Sequence, residues 1–138
     1  MLRDAQLGKE LVITVVNKIG ILADISKILA DRGLNILAVA GYAEEGASGA
    51  AKIMLACDDN QRAEDALKKA GYTNIKESEV VVVGLENKPG ALKYIGAQLA
   101  LAGVDIQYIY GTACTEGCPA KIVLKTSNNE KALLAFKK

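Results

Sequence analysis

The chain repeats itself. Asn17-Lys18-Ile19-Gly20-Ile21-Leu22 recurs seventy residues later as Asn87-Lys88-Pro89-Gly90-Ala91-Leu92. The register then holds through Ile25/Ile95, Leu29/Leu99, Ala30/Ala100, Gly33/Gly103 and Ile36/Ile106, so that nine of the twenty positions from 17 to 36 are identical. A second block matches at an offset of sixty-nine: Ala51-Lys52-Ile53-Met54-Leu55 against Ala120-Lys121-Ile122-Val123-Leu124, then Asn60/Asn129, Ala63/Ala132 and Ala66/Ala135. The offset changes within 42–50 and 112–119, where a hairpin loop can absorb a deletion. A period this long describes a small domain rather than a solenoid unit. The chain is short for two independent domains, but two such repeats can share a core or pack closely.

Local patterns give that fold. Residues 10–16 are β-branched and apolar and read as a strand, followed by a turn at 17–20. Leu22, Ile25 and Leu29 at helical spacing predict a helix over 21–32, with Gly33 at the C′ position. Strands follow at 35–43 and 50–57, around the polar loop 44–49. Asp58-x-x-Gln61 reads as a capping box opening a helix that ends near Gly71, and Ser127-x-x-Glu130 repeats it. Residues 72–79 form a fourth strand and 80–85 begin the second copy. The order β-α-β-β-α-β predicts an α+β chain of two ferredoxin-like repeats, each an antiparallel sheet with its helices on one face.

The expected domains are 1–78 and 79–138. The second copy lacks its last strand, because its second helix, 128–136, runs almost to Lys138. That strand would flank residues 80–85, and an open edge there invites pairing. Either residues 75–85 serve both repeats or a second chain covers the edge, and a homodimer is expected.

Composition narrows the chemistry. Of 138 residues 51% are hydrophobic, and the net charge is +1 without a basic block. This argues for an ordinary globular chain and against nucleic acid or a membrane as partner. The polar start shows no signal peptide, and three cysteines suit a reducing cytoplasm. The absence of histidine removes Ser-His and Cys-His catalysis and imidazole metal ligands. No enzyme activity, cofactor or metal is expected. Cys114 and Cys118 flank a loop tip and can form a redox-labile pair, but unmodified thiols are the default.

The turn motif Asn-x-Pro-Gly-x-Leu, with Gly-x-x-Ile after the helix, resembles that of an ACT domain. The second copy carries Asn87, Pro89, Gly90, Leu92, Gly103 and Ile106, while the first has Ile19 in place of proline. The chain thus resembles a free-standing tandem ACT protein. That resemblance implies a regulatory protein binding a small molecule, an amino acid above all, with a separate partner enzyme as a possible recipient of the signal. ACT domains typically pair side by side, with ligands at the seam between repeats. The resemblance places the ligand at Asn17, Ile19, Gly20, Ile21 and Leu22 in one copy and at Asn87, Pro89, Gly90, Ala91 and Leu92 in the other. Asn35, Ile36, Asp105 and Ile106, with parts of their strands, are the facing positions. The residue chemistry permits this: a helix start favours a carboxylate, and asparagine both donates and accepts. The plainer alternative is that the turn glycines only permit a tight turn, and that Asn35 and Asp105 bond their own loop. The rival function is a non-catalytic interaction module that regulates an enzyme without binding a ligand.

Overall fold

A computed structural model describes residues 2–43, 49–112 and 119–137; the proposed thiol pair, Cys114 and Cys118, lies outside them. Ten elements follow in the order β1 (Leu2–Val16), α1 (Ile21–Ala30), β2 (Ile36–Ala43), β3 (Ala50–Cys57), α2 (Asn60–Lys69), β4 (Ile75–Leu85), α3 (Ala91–Ala102), β5 (Ile106–Thr112), β6 (Ala120–Thr126) and α4 (Asn129–Phe136). They fall into two compact units: Lys9–Ser78, and Glu79–Lys138 together with Met1–Gly8. Strands β1 and β4 each supply a segment to both.

In the unit spanning 9–78 the strand order is β4-β1-β3-β2. Antiparallel pairing sets Ile13 opposite Ile53 and Leu11 opposite Leu55, and β2 continues the ladder with Val39 opposite Leu55 and Gly41 opposite Ile53. Alternation sends Leu11, Ile13 and Val15 to the helix-covered face, where they meet Ile53, Leu55 and Cys57. Ile25 and Leu29 of α1 and Ala63 and Leu67 of α2 complete this core, because helical spacing puts each pair on one face. Burial pushes the Cys57 thiol up, and the Asp58 charge adds to the shift, so this cysteine is an inert core residue.

The other unit has the order β1-β4-β6-β5, using residues 2–8 of β1. Its core joins Val81, Val83 and Leu85 to Ile95, Leu99, Leu124 and Phe136, with Leu2 and Ala5 packed against it. The edge expected to stand open beside β4 is therefore covered by the start of the same chain. A Cβ on Gly84 would run into the Asp4 carboxylate, so the Asp4 side chain of this segment lies over Gly84 of β4. The sequence pattern starts β1 at residue 10, whereas the strand starts at Leu2. Arg3-Asp4-Ala5-Gln6 has no β-branched residue, and its extended form comes from its partner rather than from propensity.

Helix ends repeat as closely as the sequence does. Leu34 N–H donates to the Leu29 carbonyl at 3.0 Å and Val104 N–H to that of Leu99 at 3.0 Å, the six-residue bond that follows a C′ glycine at Gly33 and Gly103. The N-caps differ from the expected capping boxes by one residue. Asp59 accepts from Arg62 N–H at 3.1 Å and Asn128 from Lys131 N–H at 3.0 Å. Asp58 and Ser127 instead accept from the backbone N–H of Asn35 at 3.1 Å and Asp105 at 3.0 Å.

The Asn60/Asn129 identity has a structural cause. Asn60 accepts from Cys57 N–H at 2.8 Å and donates to the Lys9 carbonyl at 3.1 Å, tying β3 to β1. Asn129 accepts from Thr126 N–H at 3.0 Å and donates to the Glu79 carbonyl at 2.8 Å, tying β6 to β4. Asn60→Ala and Asn129→Ala should each lower stability by roughly 1–3 kcal/mol, since both leave backbone partners unmatched. Thermal unfolding of the single variants measures this; a loss below about 0.5 kcal/mol in both would contradict the tie.

Candidate functional site

The duplicated turns are close copies in space. Ile21 N–H donates to the Lys18 carbonyl at 3.3 Å, and Ala91 N–H to that of Lys88 at 3.3 Å. Gly20 (φ 92, ψ 0) and Gly90 (φ 89, ψ −8) occupy the third position of a type II turn, which requires positive φ. The position before it is Ile19 in one copy and Pro89 in the other. Pro89 thus fits the second position of a type II turn, ahead of the N-cap at Gly90. The glycines are conformationally required: another residue there would bear roughly 1–2 kcal/mol of strain. The first carbonyl of each helix accepts normally, from Asp24 N–H at 2.9 Å and Tyr94 N–H at 3.1 Å. Lys18 lies 3.7 Å from Asp24, and Lys88 lies 3.1 Å from Glu86, so both turn lysines have an acidic neighbour.

A groove of about 410 Å³ opens beside the first turn. Asn17, Ile21 and Leu22 form one wall, residues 39–43 of β2 the other, and Ala51, Lys52 and Ile53 of β3 the floor. The ladder register shows which side chains face it. Val39, Gly41 and Ala43 lie opposite Leu55, Ile53 and Ala51, the residues that face the helices. Ala40, Tyr42 and Lys52 alternate to the opposite face. The inward side chains are therefore aliphatic, with Asn17 supplying an amide at the turn. A second cleft, about 420 Å³, lies between the same turn and residues 70–74, and its lining includes Thr14, Lys18 and Asn74.

Of the candidates in the first copy, the groove brings together Asn17, Ile21 and Leu22. Gly20 shapes the turn, while Ile19 is fully exposed. Asn35 and Ile36 stand at the other end of β2: the Asn35 backbone pairs with Asp58, and Ile36 lies opposite Cys57. In the second copy Asn87, Pro89 and Gly90 form the turn, Ala91 is buried in the core and Leu92 is exposed. Asp105 pairs through its backbone with Ser127, and Ile106 lies opposite Thr126. Of the far wall, 39–43, the sequence names only the strand and no residue, and the floor, 51–53, was not singled out. Its signal was present: Ala51-Lys52-Ile53 is identical to Ala120-Lys121-Ile122, and Gly41 matches Gly111 at the seventy-residue offset.

Among the described residues no group of three or more His, Cys, Asp or Glu is placed to hold a metal ion. No helix among them is long and apolar enough to cross a membrane.

Solved structures share this architecture. Protein BT0572 from Bacteroides thetaiotaomicron is 27% identical, over 96% of this chain and 88% of that one, with a TM-score of 0.84. The regulatory subunit of aspartate kinase from Thermus flavus is 18% identical over 99% of this chain and 96% of that one, with a TM-score of 0.65. Its counterpart from Thermus thermophilus, in the ligand-free form, gives 16%, 99%, 97% and 0.67. The two kinase subunits share the fold. No curated protein sequence gives a match. A family model for the ACT domain pair matches residues 7–136, nearly the whole chain, and with the duplicated turn, helix and sheet order it means that this chain belongs to the ACT domain family as a tandem pair.

Proposed function

We propose that this chain is a regulatory module that binds a small ligand, an amino acid, and passes the signal on through its assembly or its contact with a separate enzyme. The observation that carries the reading is the groove between α1 and the edge strand β2. Its volume lies at the small end of the ~300–1,000 Å³ usual for ligand sites, which suits a metabolite rather than a nucleotide. The start of α1 adjoins the groove and favours a carboxylate by roughly 0.3–2 kcal/mol. Asn17 can donate to that carboxylate or accept from an ammonium group. The matching turn, with Asn87, Pro89 and Gly90, is the candidate for a second site.

Side-by-side pairing of ACT domains gives β2 a role in assembly. Its outer edge exposes Leu37, Val39 and Tyr42, a surface on which a second copy can add strand to strand and roof the groove. The homodimer is then the state that ligand favours, by the difference in its affinity for paired and unpaired forms. The regulatory subunits of aspartate kinase among the similar folds support a separate enzyme as recipient, with this chain acting in the cytoplasm and performing no catalysis itself.

A thermal-shift screen against the twenty amino acids tests this. Ligand at 100 times its dissociation constant should stabilise the chain by about 2.7 kcal/mol, and light scattering should show a change in assembly. A folded protein that responds to none of them sinks the ligand reading and leaves an interaction module.

A further inference from the structure

We infer that the groove of the first unit selects an amino acid with an aliphatic side chain, and that Gly41 sets the room available to it. This rests on the reading of the groove as an amino-acid site.

The interior is defined by Val39, Gly41 and Ala43 on β2, Ala51 and Ile53 on β3, and Ile21 and Leu22 on α1. Among the described residues no carboxylate lines the groove, so a lysine or arginine side chain entering it would lose water without finding a counter-charge among them. The cation at the lining, Lys52, alternates to the other face of the sheet, so an acidic side chain finds no partner either. A hydroxyl deep in the groove would meet mainly apolar side chains, with the Lys52 carbonyl beside Gly41 as a backbone acceptor. Each buried methylene, by contrast, should tighten binding about fourfold. The charged α-ammonium and α-carboxylate remain at the mouth, beside Asn17 and the start of α1.

Gly41 lacks a structural reason to be glycine. Its φ is not in the left-handed region, and an added Cβ would make ordinary contacts, 3.4 Å from the Lys52 carbonyl oxygen and 3.7 Å from Ile53 Cγ1. The matching Gly111 is different: a Cβ there would lie 2.5 Å from both the Lys121 carbonyl oxygen and Ile122 Cδ1. In the second unit the neighbouring backbone and the isoleucine side chain both crowd the space in front of the glycine. In the first a Cβ fits at contact distance, and glycine within a strand marks a close approach by something else. What a side chain at position 41 would occupy is the groove.

Isothermal titration of the full chain with alanine, valine, leucine, isoleucine, threonine, aspartate and lysine tests the inference, alongside Gly41→Val. The expected result is tightening from alanine to leucine or isoleucine, with threonine, lysine and aspartate at least tenfold weaker. Gly41→Val should weaken isoleucine tenfold or more while leaving the ligand-free melting temperature near its original value. If Gly41→Val fails to fold, Gly41→Ala carries the test: it should penalise leucine and isoleucine more than alanine. Tightest binding of a charged or hydroxyl amino acid overturns the aliphatic selection and leaves the amino-acid site standing. Undiminished binding in a folded Gly41 variant overturns the placement in this groove. Binding of none of them overturns this inference, and silence in the screen of all twenty overturns the reading beneath it as well.

Discussion

Deletion of residues 2–8 unfolds the unit formed by 79–138, or leaves it so exposed that the protein aggregates. That segment is the fourth strand of the unit's sheet, and it carries Leu2 and Ala5 onto the core around Val81, Val83 and Phe136. Its loss removes about one hydrogen bond per residue at roughly 0.5–1.5 kcal/mol each, together with that apolar cover. The sum is comparable with the ~5–15 kcal/mol that holds a small domain folded. It also bares β4, whose Val80-Val81-Val82-Val83 run is a template for pairing between chains. Hydrogen exchange at Val81 and Val83 is the direct measurement, with light scattering beside it. Undiminished protection at both amides would mean that the strand is dispensable.

Phe136→Ala should cost about 3–5 kcal/mol. This is the one phenylalanine in the chain, it is 1% exposed, and it closes the last turn of α4 against Ile95, Leu99 and Leu124. For a chain of this size the melting temperature should fall by roughly 10–20 °C. Leu134→Ala is the internal comparison, two residues away on the same helix but 64% exposed, and it should stay within about 0.5 kcal/mol of the parent. Equal losses in the two variants would mean that α4 docks through a different face.

Most of this fold could be read from sequence because it is written twice and because its turn has strict chemistry. Gly20 and Gly90 take positive φ, and the strand before each and the helix after each follow from spacing alone. The caps slipped by one for a local reason: Asp58-Asp59 and Ser127-Asn128 each offer two competent caps in succession. Tertiary bonds to Asn35 and Asp105 claim the first of each pair. The first strand was hidden because residues 2–8 pair with a segment some seventy positions away, and no local pattern reports a partner. The groove was only half legible. Asn17, Ile21 and Leu22 belong to a recognisable motif, but Val39 and Ile53 look like any core residue of a strand. Whether such a side chain meets a neighbour or an opening depends on β2 being the outermost strand, which is a property of the assembled sheet.

That outermost position has a counterpart in β5, and the two rims differ. One exposes Leu37, Val39 and Tyr42; the other exposes Ile106 and Ile109. Contact between identical rims obeys a two-fold axis and ends with two copies when the other rim stays unpaired. Contact between β2 of one copy and β5 of the next leaves a free rim at each end, and unless the rotation happens to close a ring it continues into a filament. The divergence of the two halves after duplication therefore bears on symmetry. The two rims offer a second copy different apolar surfaces, and which of them pairs decides whether assembly follows a two-fold axis or a head-to-tail succession.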